Sequence, residues 1–167
     1  LMDDLDFEIN LFAGIIRGRM AKEPGYTAVQ KIPGIGPTLG AVLVAEVGDV
    51  TRFASAEKLT CWAGLTPKHH ESDTHVRRGR ITKQGSRLVR WAAIESVKTV
   101  SKTSPVGVLR ERVADRRGRN IGPVAAARRQ LAFVFYALRD GPVPALAHPP
   151  GAAGTPPPAF PRVAGWP

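Results

Sequence analysis

Cysteine is almost absent. A single Cys61 excludes an internal disulfide and any zinc site built from several cysteines. Next to Trp62 in an apolar stretch, it reads as a small core residue rather than a reactive thiol. No apolar run approaches the roughly 18 residues that a membrane-spanning helix needs, and no signal peptide is visible. A reducing cytoplasm, in contact with the nucleoid, is the compartment this composition fits, and no membrane partner is expected. Acidic residues are scarce, with 14 Asp and Glu against 24 Lys and Arg. The net charge of +10 makes acidic surfaces the expected partners and nucleic acid the foremost of them. Aromatic residues make up only 7%, but the hydrophobic fraction of 43% over 167 residues supplies one ordinary core.

What is present is largely helical in period. Residues 3–20 carry Leu5, Ile9, Phe12 and Ile16 at spacings of three and four. Acids lead (Asp3, Asp4, Asp6, Glu8) and bases follow (Arg17, Arg19), which complements a helix dipole. Because the acids already stand in register at the first residues, 1–25 reads as a helical arm leading from an upstream domain. Thr27–Lys31 predicts a short helix, Pro33-Gly34-Ile35-Gly36-Pro37 a hairpin, and Thr38 the cap of a second helix to Val47. This is the outline of a helix-hairpin-helix. Gly34 and Gly36 tolerate positive φ and would let a phosphate approach the backbone amides at the start of that second helix. A plain structural corner is the alternative.

Ser55 predicts the cap of a short helix that carries Leu59 and Trp62 inward and stops at Gly64. Residues 65–85 hold too many turn formers for a helix and read as a basic loop or small β-hairpin. Ser86 caps a helix to about Lys102, with Val89, Ala93, Val97 and Val100 on one face. Ser104-Pro105 starts another, ended by Gly118. Pro123 opens a last helix to Asp140, with Val124, Ala127, Leu131, Phe135 and Leu138 inward. Trp62 and Trp91 are expected in the core. From residue 141 onward nine of the fifteen prolines appear with a single charged residue, Arg162, so 141–167 reads as a disordered Pro-rich tail. The fold class is therefore mainly α, with the domain proper at 26–140.

The chemistry concentrates in residues 68–90. Lys68, Arg77, Arg78, Arg80, Lys83, Arg87 and Arg90 face only Glu71 and Asp73, so half the excess charge of the chain falls on this segment. Such a run suits a groove that tracks a phosphate backbone. Ser72 lies within it. A serine hydroxyl beside guanidinium groups can attack phosphorus while the arginines hold the charged oxygens, provided a base or metal activates it. A turn serine bonded to its own backbone is the alternative. His69, His70 and His75 lack metal-ligand spacing, because adjacent residues of an extended segment point to opposite sides.

The order of these blocks resembles one family. I-P-G-I-G-P is followed by E-V-G-D with R-F two residues on, then A-G-L-T-P, then a serine, then R-R-G-R-I-T-K-Q-G-S-R-L-V-R. Residues 28–100 thus resemble the C-terminal domain of the DEDD-type insertion-sequence transposases, the insertion sequence one-ten family related to the Piv DNA invertases. The resemblance implies DNA transposition or site-specific recombination. It implies a covalent phosphoserine intermediate at Ser72, a structured guide RNA (the bridge RNA) besides DNA, and a homo-oligomer, since two strands need more than one active site. It also implies Mg2+ held by four acids of an N-terminal RuvC-like domain, none of which is among the acids of 1–167. Where the family usually has glycine after the serine this chain has Asp73, whose carboxylate would repel phosphate. The alternatives are a non-enzymatic helix-hairpin-helix module that only binds DNA and an inactive, truncated transposase.

Overall fold

The computed structural model describes residues 2–72 and 75–142, with backbone alone over 69–72 and 75–78. The described residues form seven helices and one two-stranded sheet: α1 (Met2–Met20), α2 (Tyr26–Gln30), α3 (Pro37–Val47), α4 (Ala56–Trp62), β1 (Pro67–Ser72), β2 (His75–Ile81), α5 (Arg87–Lys98), α6 (Pro105–Arg117) and α7 (Ile121–Asp140). A short 3-10 turn, Val50–Arg52, separates α3 from α4. The mainly α class with a small β-hairpin is as the sequence predicts. Most of the tail expected to be disordered, from residue 143, lies outside the described residues.

The last helix is the hub. α7 packs against α2, α4, α5 and α6, so it is buried on more than the single stripe that its period predicts. Ala125, Ala126 and Ala127 are all buried and let neighbours approach closely, while Leu131, Val134 and Phe135 fill the centre. Gln130 is buried among them, and its Nε2 donates to the Pro33 carbonyl at 2.6 Å. One polar side chain thus fixes the corner after α2 to the hub.

α2 and α3 meet through Tyr26. Its ring is buried, lies near the Cβ-free surface of Gly40, and its hydroxyl donates to the Pro37 carbonyl at 3.1 Å. α3 is capped by Gly36 with Pro37 at the first helical position. Thr38 is therefore inside the helix and not its cap, since proline pre-sets the helical φ one residue earlier.

Two hydroxyl caps fall where the sequence puts them. Ser86 Oγ accepts from Val89 N at 3.1 Å, and Ser104 Oγ accepts from Gly107 N at 3.0 Å. α5 ends at Lys98, short of Lys102, because the following hydroxyls bond locally: Thr99 Oγ1 to the Ser96 carbonyl, and Ser101 Oγ with Thr103 Oγ1. Arg110 covers the exposed end by donating to the carbonyls of Val97 and Lys98. α7 begins at Ile121, two residues before Pro123, which the first turn tolerates because its N–H groups have no helical partner.

Three expectations fail on placement. Cys61 is exposed, because the short α4 turns Leu59 and Thr60 inward and leaves Cys61 on the other side. Trp91 is also exposed, because Val89, Ala92, Ala93 and Val97 already occupy the inner face of α5. In α1 only Ile16 and Met20 reach the core, and Leu5, Ile9 and Phe12 stay exposed.

Candidate nucleic-acid interface

The basic segment folds as an antiparallel hairpin standing on a backbone clamp. Thr82 N donates to the Thr66 carbonyl at 2.9 Å, and Lys83 N to the Gly64 carbonyl at 3.0 Å. Two glycines permit this contact. Gly64 has φ +71, and a Cβ there would run into the backbone of Gln84. Gly85 has φ +81, and a Cβ there would overlap the Trp62 carbonyl. Lys83 also adopts positive φ (56°), so the loop leaving the hairpin turns through two left-handed residues.

From this base the strands pair His69 with Arg78, His70 with Arg77, Glu71 with Val76 and Ser72 with His75. Between Pro67↔Ile81 and His69↔Arg78 the register shifts, so β2 carries one more residue than β1 there. The irregularity lies at Gly79 and Arg80, where a bulge bends and twists the ribbon. Ser72 closes β1 and its partner His75 opens β2, so the serine's backbone stands at the far end of the ribbon. Arg77 and Arg78 follow within three residues on the facing strand. Asp73 is outside the described residues.

The cations named from sequence divide by environment. Lys68, Arg80, Lys83 and Arg87 are exposed. Arg90 is half-buried and donates from Nη1 to the Ala63 carbonyl at 2.9 Å, which ties α5 to the end of α4. Glu46 accepts from Ser86 Oγ at 2.7 Å and so steadies the first turn of α5 beside Arg87. Exposed cations on a fixed scaffold offer charge without reorganisation, which suits phosphate contacts. Among the described residues no three of His, Cys, Asp and Glu converge where a metal ion could sit. Among them, too, no helix is long and apolar enough to cross a membrane.

The two glycines of the α2–α3 corner differ. Gly34 has φ +85, and a Cβ there would strike the Ser96 carbonyl and Val100. The close approach it permits is to α5 of the same chain. Gly36 has no neighbour within 4 Å of a built Cβ and stands open at the start of α3.

Sequence reasoning missed the clamp and two surface features. Gly64 and Gly85 were visible only as a helix stop and as part of a motif. Arg52 lies over both the Phe53 ring (4.6 Å) and the Trp62 ring (4.7 Å), and the two rings touch at 5.4 Å. The R-F pair beside a tryptophan was its only signal. The exposure of Trp91 had one in the helical period, which sets it opposite the face of Val89, Ala93 and Val97.

The sequence profile of the "Transposase IS116/IS110/IS902 family" matches residues 26–112, from α2 through the hairpin into α6. Among similar curated proteins is a "Probable family 20 transposase" of Pseudomonas aeruginosa, 27% identical over 146 residues, covering 83% of this chain and 43% of that protein. Another is the "Transposase for insertion sequence element IS1111A" of Coxiella burnetii, 28% identical over 115 residues, covering 66% of this chain and 32% of that protein. A "Pilin gene-inverting protein" of Moraxella bovis is 48% identical over 48 residues, 28% of this chain and 15% of that protein. The chain spans less than half the length of these relatives.

Proposed function

This chain belongs to the IS116/IS110/IS902 transposase family, and on that footing we propose that it is the serine-bearing domain of a DNA transposase or site-specific recombinase. The observation that carries the reading is the hairpin: Ser72 ends β1 at the far end of a clamped ribbon, with Arg77 and Arg78 close behind on the paired strand. In this reading Lys68, Arg77, Arg78, Arg80, Lys83 and Arg87 hold phosphate oxygens. Arg90 chiefly braces the scaffold, and Gly36 leaves the open end of α3 accessible to a phosphate.

Ser72 Oγ attacks a backbone phosphorus. A new O–P bond forms, the bond to one sugar oxygen breaks, and that oxygen leaves as a hydroxyl with the proton that a base removed from the serine. One phosphoester bond is exchanged for another of similar energy, so a second DNA hydroxyl can reverse the step and join strands without ATP. Asp73 opposes phosphate approach and lowers the rate of this copy. Among the described residues no three of His, Cys, Asp and Glu converge where a magnesium ion could sit. The ion, and the guide RNA that would select target and donor DNA, belong to the full-length oligomer.

A suicide DNA substrate incubated with a full-length protein bearing this domain tests the reading. A covalent adduct should form and Ser72→Ala should abolish it. An adduct that persists in Ser72→Ala removes the nucleophile assignment, and binding without any adduct favours the non-catalytic DNA-binding alternative.

A further inference from the structure

Two tryptophans lie among the described residues, and they differ in what covers their rings. Trp62 has its indole occupied by Phe53 and Arg52. Trp91 is 47% exposed, and no ring or guanidinium lies against it among the side chains described. This exposure does not come from a loose helix. The opposite face of α5 is fully buried through Val89, Ala92, Ala93 and Val97. Its first turn is held by Ser86 and Glu46, and its last carbonyls by Arg110. The helix cannot roll Trp91 inward.

The residues leading up to Trp91 include one exposed apolar side chain and two exposed cations. Leu88, three residues back, is 51% exposed. Arg87, one turn back, is exposed, and Lys83 precedes it in the loop leaving the hairpin. The nearest acid along α5, Glu95, is neutralised by Lys98 at 2.7 Å. A held-out indole one turn beyond the exposed Arg87, with the exposed Lys83 in the loop that leads into the helix, can stack a base while the cations take its phosphates. A duplex keeps its bases stacked on each other, so only an unpaired base can use such a ring.

We propose that Trp91 is a stacking platform for an unpaired base of a single-stranded nucleic-acid segment whose backbone passes over Lys83 and Arg87. The proposal rests on the nucleic-acid reading above and adds a strand-state preference to it. Stacking contributes without charge neutralisation, so its removal should leave the salt dependence intact.

The test measures affinity of the 167-residue chain for a mixed-sequence DNA oligonucleotide, the matching RNA oligonucleotide and the DNA duplex, across a salt series. Trp91→Ala should weaken single-strand binding roughly 5- to 150-fold with an unchanged salt slope and little effect on duplex. Trp91→Phe should keep most of the affinity while losing fluorescence quenching on binding. The arm with the larger Trp91→Ala loss identifies DNA or RNA as the strand. Equal loss on duplex and single strand, or no loss on either, overturns the proposal. So does a change of oligomeric state in Trp91→Ala with affinity retained, which would assign the ring to a protein contact. If the unaltered chain binds none of the three, the underlying nucleic-acid reading fails first.

Discussion

Replacing Gly85 by alanine should loosen the hairpin from its base. Gly85 sits at φ +81, where an L-residue costs about 1–2 kcal/mol. The new Cβ would also overlap the Trp62 carbonyl, a backbone atom that cannot swing aside. Relief means separating the clamp and giving up the bonds Thr82 N to Thr66 O and Lys83 N to Gly64 O. Those contribute roughly 0.5–1.5 kcal/mol each. The total comes to about 2–5 kcal/mol, or a fall in Tm of roughly 3–5 °C per kcal/mol for a domain of this size. Two controls separate the contributions. Gly118→Ala has φ +106 and ψ +149, a nearly glycine-only conformation, but open space, so it should cost about 1–3 kcal/mol and no backbone contact. Gly36→Ala has φ −83 and open space and loses only the N-cap preference for glycine over alanine, so it should cost at most about 1 kcal/mol. Urea unfolding ranks the three, and amide exchange at Thr82 and Lys83 shows whether the clamp opens locally. If Gly85→Ala proves no worse than Gly118→Ala, the close backbone contact does not hold the hairpin.

Arg110→Met keeps the aliphatic stem of a side chain that is only 13% exposed but removes its bonds to the last carbonyls of α5. Denaturant titration should show a loss of about 1–3 kcal/mol. The Asp49 carboxyl is held below its ordinary pKa by the Thr51 hydroxyl and the Thr51 N–H. Its stabilising effect is therefore complete above the ordinary carboxylate value and lost as pH falls through the lower folded value. Thermal melts in acid should show Thr51→Val with a shallower decline than the parent over that window. Asp73→Gly removes a carboxylate beside Ser72 and should tighten DNA binding at low salt, with the difference shrinking as salt screens it.

The sequence showed helices wherever period and punctuation agreed. Ser104-Pro105 through Gly118 marked α6 almost to the residue, and Ser86 marked the start of α5. Short elements were less legible. α4 has seven residues, too few for a stripe to show which side Cys61 takes. In α5 the helical period sets Trp91 opposite Val89, Ala93 and Val97, and only the size and hydrophobicity of the indole argued for the core. The depth of α7 depended on four neighbours that only the tertiary arrangement supplies. At the candidate site the residue types were plain, but their support was not. Gly64 and Gly85 stand twenty-one residues apart, and each abuts the other's near chain neighbours, Gln84 and Trp62, only because the chain between them folds back on itself. Lys83 at positive φ is a conformation that no local rule assigns to lysine.

The covalent role of Ser72 is tested most directly by finding where DNA becomes attached. After reaction of a full-length protein with a suicide substrate and nuclease trimming, peptide mass spectrometry should place the residual nucleotide on the peptide spanning Ser72. Fragmentation should assign it to the serine oxygen. A nucleotide mapped to any other side chain, or its absence from a protein that demonstrably cuts and rejoins DNA, would contradict the proposed chemistry.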